Sequence, residues 1–343
     1  MKKLFITGGA GFIGSAFVRV ILAERPEWKI TNFDALTYAG NLDNLAGIDS
    51  RRHRFIQGDI NDRAAVLTAL DEGSDAIVHF AAESHVDRSI ANADAFLRTN
   101  ILGTQVLLDA ARQRRVGRFL QISTDEVMGS LPEDDTAYFT EESPFAPNSP
   151  YAASKAAAEH LVRAAHHTFG LDTVITRCGN NYGPRQFPEK LIPLLLANAL
   201  RNDSIPVYGD GCNVRDWIYV DDHCRAILGV LEKGRAGEVY HIGARNERRN
   251  IDIVESILRH LGKPRSLIRH VKDRLGHDRR YAIDPAKIDM EIGWRPRETW
   301  QSGLAKTIQW YQDHGEWVER TRSGAYRQYY AQQYGADLGK RAA

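Results

Sequence analysis

The sequence predicts an α/β fold: a Rossmann-like, doubly wound parallel sheet with a smaller mixed α/β substrate-binding domain. Short β-rich runs alternate with longer helical patterns over the first half of the chain. A glycine-rich stretch, TGGAGFIGS, joins the first of these runs to the first helical pattern. The 343 residues are enough for two domains, or for one large domain with an elaboration.

Six short apolar runs, bounded by turn residues or helical patterns, predict the strands of the sheet. They are Leu4–Thr7, Lys29–Phe33, Arg54–Gln57, Ala76–Phe80, Phe119–Ser123 and Thr173–Arg177. Helical patterns between them cover Phe12–Ala23, Arg63–Leu70, Ala95–Arg112 and Ala152–Phe169. Strand–helix repeats of this kind place helices on both faces of a parallel sheet, and ligands bind beyond the carboxyl ends of its strands.

The pattern loosens after Gly179, where several prolines interrupt it. Later segments read as a strand, a helix and a strand, at Val214–Val220, Asp221–Glu232 and Val239–Gly243. We therefore predict a Rossmann domain at residues 1–180, to which 217–244 return. Residues 181–216 and 245–335 would form the smaller domain, and 336–343 a frayed tail.

Composition limits the partners. Lys+Arg number 45 and Asp+Glu number 44, so bulk charge gives no support for a nucleic-acid partner. Cys178, Cys212 and Cys224 have no CxxC spacing, which fits a reducing cytosol and predicts no metal site. No apolar run approaches the ~20 residues of a membrane span. We expect a soluble cytoplasmic protein without a membrane or nucleic-acid partner.

The glycine-rich stretch predicts a dinucleotide site. Gly8, Gly11 and Gly14 allow a tight turn, close approach of the backbone to a diphosphate, and packing of helix on strand. Asp34 ends the second predicted strand, where a carboxylate accepts from both ribose hydroxyls and repels a 2′-phosphate. NAD is therefore favoured over NADP. Asp59 and Ile60, after the third strand, either hold the adenine or begin a helix as its N-cap.

The stretch YAASK places Tyr151 and Lys155 four residues apart, on one helix face. A lysine ammonium beside a phenol, like an oxidised nicotinamide, lowers the pKa of the phenol. Tyr151 is thereby predicted to act as a base near neutral pH.

These motifs together resemble an extended short-chain dehydrogenase/reductase that acts on a nucleotide sugar. The resemblance narrows to the dTDP-glucose 4,6-dehydratases through six further stretches: STDE, DALTYAGNLDNL, HFAAESHVDRSI, RCGNNYGPRQFPEKLIP, PVYGDGCNVRDWIYVDDH and KDRLGHDRRYAID. It covers the chain nearly end to end. One departure is Met128, where the family usually has tyrosine; it bears on the shape of the pocket rather than on the class of reaction.

The resemblance implies a reaction for the triplet Thr124, Asp125 and Glu126. A ketone at C4 of the sugar makes the C5 proton acidic, and a base must then remove it while an acid protonates the C6 hydroxyl. Such chemistry needs two groups with separated pKa values. Glu126 is the implied base and Asp125 the implied acid, kept protonated by burial and by the charge of Glu126. Both reach the sugar only if the strand has ended at Thr124, because neighbours in a strand point to opposite faces.

The resemblance also implies the remaining contacts. The cofactor residues would be Gly8, Gly11, Phe12, Ile13, Gly14, Asp34, Thr37, Asp59, Ile60, Ala81, Thr99, Tyr151, Lys155 and Asn181. The sugar and its nucleotide would contact His85, Thr124, Asn180, Lys190, Leu191, Pro206, Tyr208, Arg215, Asn250, Asp273 and His277. Arg215 is expected to face the diphosphate with bidentate hydrogen bonds, and the smaller domain would bind the nucleotide sugar.

Several alternatives remain open at this stage. A nucleotide-sugar 4-epimerase needs Tyr151 and Lys155 but no acid–base pair, and a 4,6-dehydratase of UDP- or CDP-glucose would share the whole triplet. A non-enzymatic NAD-binding module is the third alternative. The aromatic residues Trp300, Trp310, Tyr311 and Trp317 are expected to pack rather than to stack on a ligand. Helices around Ala95–Arg112 and Ala152–Phe169 have apolar faces, and the resemblance implies that they pair across a two-fold axis. We therefore expect a homodimer.

Overall fold

The computed structural model describes residues 2–133, 136–322 and 330–334. Strands and helices alternate in the first half: β1 (Lys3–Thr7), α1 (Phe12–Glu24), β2 (Lys29–Asp34), β3 (His53–Gln57), α2 (Arg63–Ala69), β4 (Ala76–His79), α3 (Val86–Ala91), α4 (Asp94–Phe96), α5 (Thr104–Gln113), β5 (Arg118–Thr124), α6 (Pro150–Phe169) and β6 (Thr173–Cys178). Short 3₁₀ turns cover Leu42–Leu45 and Asp125–Met128.

The second half is more irregular, as the prolines predicted. Its elements are β7 (Asn180–Tyr182), α7 (Leu191–Arg201), β8 (Ile205–Tyr208), β9 (Val214–Tyr219), α8 (Val220–Lys233), β10 (Val239–Ile242), β11 (Glu247–Arg249), α9 (Asn250–His260), β12 (Ile268–Val271), α10 (Ala286–Ile292), α11 (Trp300–Asp313) and α12 (Gly315–Thr321). A 3₁₀ turn at Arg265–Leu267 precedes β12.

The main sheet confirms the predicted fold class. Among the described residues it has seven strands in the order β10-β6-β5-β4-β1-β2-β3, and each neighbouring pair is parallel. The chain runs outward from β1 in both directions, so a crevice lies at the carboxyl ends of β1 and β4, where ligands bind in sheets of this kind. Two small sheets, β11-β9-β7 and β12-β8, lie in the second half.

One predicted helix differs from the structure. The pattern Ala95–Arg112 reads as a continuous helix, but the chain forms a π-helical stretch at Leu97–Gly103 between α4 and α5. A π turn inserts an extra residue into the helix, a feature often found at functional sites. Gly103 lies at the end of this stretch against Ile60, where a Cβ would come within 2.5 Å of the isoleucine Cδ1. The glycine thus allows close packing on Ile60 at the point where the π-helical stretch ends.

Apolar clusters on both faces of the main sheet form its core. One cluster packs α1 and α8 on the sheet, and another packs α2, α5 and α6 on the opposite face. A separate cluster gathers residues of α7, α9, α11 and α12, including Trp300, Tyr311 and Trp317, with Trp310 packed against it. The predicted packing role of these aromatics is thus confirmed. The predicted tail, 336–343, lies outside the described residues. Within the described residues, no helix is long and apolar enough to cross a membrane.

Candidate active site

A single cleft at the carboxyl ends of the main strands gathers most of the predicted site residues. Those predicted to bind the cofactor all line it: Gly8, Gly11, Phe12, Ile13, Gly14, Asp34, Thr37, Asp59, Ile60, Ala81, Thr99, Tyr151, Lys155 and Asn181. The triplet Thr124, Asp125 and Glu126 lines the same cleft. Residues from both halves of the chain therefore share one site.

The glycine loop brings backbone close to this cleft. Gly8 has φ +72°, and a Cβ placed on it would lie 2.5 Å from the backbone nitrogen of Ala81. A Cβ on Gly14 would lie 2.2 Å from the carbonyl oxygen of Gly8. α1 begins after Gly11 with no side-chain cap and no acidic residue in its first turn. Its amino-terminal N–H groups and helix dipole therefore favour a negatively charged ligand such as a diphosphate.

Asp34 is held rigidly at the end of β2. Its Oδ2 accepts a hydrogen bond from the backbone nitrogen of Ala10 at 2.9 Å, and its Oδ1 accepts from that of Leu36 at 2.8 Å. Burial raises the pKa of this carboxyl, and the two backbone hydrogen bonds oppose the shift. The carboxylate is thus oriented by the loops on both sides of it and lines the cleft where a ribose is expected.

Asp59 is not the helix cap that one alternative required. The N-cap of α2 is Asp62, whose side chain accepts from the backbone nitrogen of Ala65 at 3.0 Å. Asp59 Oδ1 instead accepts from the backbone and side chain of Asn61, both at 2.9 Å. Of the two roles foreseen for Asp59, the structure is compatible with a ligand contact, since Asp59 and Ile60 line the cleft.

The backbone leaves the extended strand conformation at Thr124, as predicted for the triplet Thr124, Asp125 and Glu126. β5 ends at Thr124, and a 3₁₀ turn begins at Asp125. Thr124 Oγ1 accepts a hydrogen bond from the backbone nitrogen of Glu126 at 3.3 Å, which caps this turn. Because the alternation of the strand has stopped, Asp125 and Glu126 both line the cleft.

The two carboxyl groups have different surroundings. Asp125 is 2% exposed, and burial first, then the charge of Glu126, raise its pKa well above the ordinary value. Burial also raises the pKa of Glu126, but the positive charges of Arg274, Lys190 and Arg215 oppose that shift. The environment therefore favours a neutral Asp125 beside a Glu126 that ionises more readily.

Tyr151 and Lys155 share one face of α6, and burial is the main influence on the pKa of each. Burial, followed by the charge of Glu126, raises the pKa of Tyr151 well above its ordinary value. The Nζ of Lys155 donates instead to the carbonyl oxygen of Ile122 at 2.7 Å, and burial lowers its pKa to about 8. Desolvation of both groups thus outweighs the attraction that the four-residue spacing suggested.

The predicted substrate residues divide into two groups. Asn180, Lys190 and Leu191 line the cleft together with Thr124. The others lie outside its described lining: His85, Pro206, Tyr208, Arg215, Asn250, Asp273 and His277.

Some of the predicted substrate residues outside the cleft lining contact one another. A hydrogen bond of 2.7 Å joins Nδ1 of His277 and Oδ1 of Asp273, and the His277 ring meets that of Tyr208 edge-on at 6.0 Å. His85 is buried at the start of α3, with its Nε2 3.9 Å from a carboxylate oxygen of Glu189. Pro206 belongs to β8, and Asn250 begins α9.

Arg215 is placed differently from a purely ligand-facing arginine. Its Nη1 donates to the carbonyl oxygen of Val214 at 2.7 Å, and its Nη2 donates to that of Asp278 at 2.8 Å. The guanidinium also stacks 4.1 Å from the centre of the Tyr281 ring. Its charge nevertheless opposes the rise in pKa of both Asp125 and Glu126, so it acts electrostatically on the carboxyl pair.

Sequence reasoning missed two charged residues of the site. Glu189 lines the cleft, and a carboxylate oxygen accepts from Nε of Arg88 at 3.2 Å. Arg274 is the largest positive influence on Glu126. Both occur in the stretches that carry the family resemblance, FPEKLIP and KDRLGHD, but their letters alone gave no reason to choose them over their neighbours.

Comparison with known proteins agrees with this geometry. A family model described as GDP-mannose 4,6 dehydratase matches residues 5–307. The dTDP-glucose 4,6-dehydratase of Xanthomonas campestris pv. campestris (strain B100) is 52% identical, over 95% of this chain and 98% of that protein.

Two solved structures are similar throughout. DesIV, a dTDP-glucose 4,6-dehydratase from Streptomyces venezuelae solved with NAD bound, is 52% identical with a TM-score of 0.90, over 93% of this chain and 99% of that one. The dTDP-glucose 4,6-dehydratase of Bacillus anthracis str. Ames, in complex with NAD, is 47% identical with a TM-score of 0.86, over 94% and 100%. With a dinucleotide cradle, a paired carboxyl site and these relatives, the chain belongs to the nucleotide-sugar 4,6-dehydratase family and is similar to its dTDP-glucose members.

Proposed function

We propose that the chain is a dTDP-glucose 4,6-dehydratase, a hydro-lyase that converts dTDP-glucose to dTDP-4-keto-6-deoxyglucose. The observation that carries the proposal is the placement of Asp125 and Glu126 beside Tyr151 and Lys155 in one cleft. That cleft includes a cradle for a dinucleotide diphosphate, and the full-length relatives named above carry this activity in their names.

NAD is the cofactor that the cradle fits. Gly8 and Gly14 leave no room for a Cβ, and the carboxylate of Asp34 suits two ribose hydroxyls but not a 2′-phosphate. When bound, NAD supplies a hydride acceptor for C4 of the sugar and a hydride donor for C6. Since the hydride taken from C4 is the one returned to C6, the overall reaction neither oxidises nor reduces the sugar.

Tyr151 and Thr124 are the proposed partners of the C4 oxygen. Tyr151 removes the proton of the C4 hydroxyl as the ketone forms, and Thr124 donates a hydrogen bond to that oxygen. Burial keeps the phenol protonated at rest, so it becomes a base only when positive charge faces it. Lys155 supplies such charge from the same helix face, and it must be protonated to do so.

Asp125 and Glu126 are the proposed acid and base of the elimination. Once C4 is a ketone, Glu126 removes the C5 proton and Asp125 gives its proton to the departing C6 hydroxyl, which leaves as water. The cluster of Arg274, Lys190 and Arg215 favours the ionised form of Glu126, while burial favours the neutral form of Asp125. Two neighbouring carboxyl groups can thus play opposite roles.

The nucleotide is proposed to bind on the side of the second half of the chain. Residues 181–216 and 245–335 supply Lys190, Leu191, Pro206, Tyr208, Arg215, Asn250, Asp273 and His277. The pairing of His277 with Asp273 and its contact with Tyr208 support a preorganised surface there. Residues 1–180 and 217–244 would carry the cofactor, in agreement with the pairing of β10 with β6 in the main sheet.

The rival functions are less well supported. A 4-epimerase has no use for two buried carboxyl groups in the cleft, because it inverts C4 without losing water. A non-enzymatic NAD-binding module has no use for Tyr151, Lys155 and the triplet together. The buried carboxyl pair beside Tyr151 and Lys155 therefore supports the dehydratase over both rival functions.

A direct assay tests the proposal and the choice of nucleotide. The purified protein is incubated with dTDP-, UDP- and CDP-glucose side by side, and the products are identified by NMR and mass spectrometry. We expect a 4-keto-6-deoxy sugar, formed fastest from dTDP-glucose, and loss of turnover with retention of NAD in Tyr151→Phe. Inversion at C4 without loss of water would identify an epimerase instead, and normal turnover by Tyr151→Phe would refute the role of the tyrosine.

The assembly is proposed to be a cytoplasmic homodimer. Leu97 and Leu102, on the π-helical stretch that precedes α5, are 46% and 57% exposed. Two large apolar side chains exposed on one short stretch favour contact with a second copy of the chain. The three cysteines are free thiols, which suits a reducing compartment.

A further inference from the structure

Glu159 continues the helix face that carries Tyr151 and Lys155. The three residues follow one another at four-residue intervals along α6, a spacing that places them on one side of the helix. Glu159 is 2% exposed, which is unusual for a glutamate unless it is paired. Neither the family motif YAASK nor the cleft lining includes it.

The Glu159 carboxylate is held by groups from two neighbouring strands. Arg177 on β6 donates from Nε to both of its oxygens at 3.1 Å, and from Nη2 to Oε2 at 2.8 Å. Ser123 on β5 donates its hydroxyl to Oε1 at 2.5 Å. Ser123 directly follows Ile122, whose carbonyl oxygen accepts from Nζ of Lys155 at 2.7 Å. The carboxylate and the ammonium are therefore both anchored to the same short piece of β5.

The other titratable groups facing Lys155 are uncharged near neutral pH. His79 on β4 is buried, and its pKa is lowered to about 3. Burial raises the pKa of the Cys178 thiol, at the end of β6, to about 12. Burial also keeps the Tyr151 phenol protonated. Glu159 is thus the ionised acid whose charge opposes the loss of the Lys155 proton.

Arg177 is itself fixed in place. Its guanidinium lies 4.9 Å from the centre of the Phe145 ring, and its Nη1 is 3.6 Å from Sδ of Met128. A buried arginine pinned in this way holds the Glu159 carboxylate through both of its oxygens, while Lys155 makes its own hydrogen bond to Ile122. The lysine remains available to the cleft while it still experiences negative charge behind it.

We propose that Glu159 is a positioning residue for Lys155, and that its carboxylate, oriented by Arg177 and Ser123, keeps the ammonium charged in the buried site. This inference rests on the proposed function, in which a protonated Lys155 assists Tyr151.

Removing the charge of Glu159, and then keeping it on a shorter side chain, tests the inference. Because the enzyme needs protonated Lys155, activity falls as pH rises through the pKa of that group. In Glu159→Gln the alkaline limb of kcat/KM is expected about one pH unit lower than in the wild type. Ser123→Ala keeps both charges and is expected to leave the limb in place.

Each outcome decides the question. Glu159→Asp keeps the charge and is expected to restore the wild-type limb, so a variant is available if Glu159→Gln folds poorly. A limb that does not move in Glu159→Gln would overturn the inference, while formation of the keto sugar by the wild type would leave the proposed function intact. An alkaline limb that is displaced in Glu159→Asp as far as in Glu159→Gln would show that the charge is not what matters, and would also overturn it.

Discussion

Asp125 accepts a hydrogen bond from Oγ1 of Thr124 at 3.3 Å, while its other carboxylate oxygen is buried without a hydrogen-bond partner among the described residues. A buried oxygen of this kind is costly if it carries charge and less costly if it carries a proton. The same oxygen belongs to a residue that lines the cleft. Protonated Asp125 therefore fits the role of an acid that donates to a leaving group.

Exchange of the C5 hydrogen separates the acid from the base. Asp125→Asn removes the proton donor but leaves Glu126, so we expect turnover to fall about 10²- to 10⁴-fold while C5 still exchanges with deuterated water. Glu126→Gln removes the base, and both exchange and turnover are expected to fall. NMR of the recovered sugar measures the exchange. The reverse pattern would interchange the two roles.

We predict that Asp34 determines the choice between NAD and NADP. Its carboxylate is oriented by the backbone nitrogens of Ala10 and Leu36, and a neutral amide at this position would keep only part of that geometry. We expect Asp34→Asn to weaken NAD binding about 10- to 100-fold and to narrow the preference over NADP. Titration of both cofactors into cofactor-free protein measures this. An unchanged preference in a correctly folded variant would contradict the assignment.

His79 makes the folded state sensitive to acid. Its ring nitrogens lie 2.7 Å from Thr7 Oγ1 and 3.1 Å from Thr104 Oγ1, and burial, aided by the charge of Lys155, lowers its pKa to about 3. In the unfolded chain a histidine gains its proton near pH ~6.5, so the free energy of unfolding falls as pH falls from there toward the folded pKa.

A histidine substitution isolates this contribution. Between about pH 6 and 4, His79→Gln is expected to remove about 1.4 kcal/mol per pH unit from the slope of unfolding free energy against pH. Denaturant unfolding at several pH values measures the slope. The control is His260→Gln, at an exposed position. Equal slopes for the wild type and His79→Gln would rule out this source of acid sensitivity.

Met128, the departure from the family pattern, is a packing residue. It is 3% exposed and belongs to an apolar cluster with Val127, Phe139, Ala156 and Ile283. We expect Met128→Ala to lower the free energy of unfolding by about 2–5 kcal/mol, without changing the identity of the product. Met290→Ala, at a methionine that is 80% exposed, is the control and should differ little from the wild type. A new product from Met128→Ala would show that this position shapes the pocket.

The proposed dimer surface is testable at Leu102. A charge in the centre of an apolar interface strongly opposes association. We expect Leu102→Asp to sediment as a monomer at concentrations where the wild type is a dimer. Leu275→Asp, at a leucine that is 70% exposed elsewhere, should leave the wild-type assembly unchanged. A monomeric wild type, or a dimeric Leu102→Asp, would contradict the proposed surface.

Local sequence patterns were enough to predict the parallel α/β fold class, the glycine-rich turn before α1 and the end of β5 at Thr124. Gly8 needs a positive φ, and Asp125 needs to leave the strand; both requirements are visible in a few adjacent letters. The π-helical stretch at Leu97–Gly103 was not predictable in this way, because the apolar pattern of Ala95–Arg112 is that of a continuous α-helix.

The sequence by itself therefore determined which residues stand at the glycine-rich turn and at the end of β5. Those residues in turn indicated the dinucleotide site and the class of reaction. Only the tertiary structure decided the charges: it buried Tyr151 and raised its pKa, brought Arg274 to Glu126, and placed Glu159 between Ser123 and Arg177. The physical reason is that desolvation and Coulomb interaction depend on what surrounds a group in space, and those surroundings come from segments far apart in the chain.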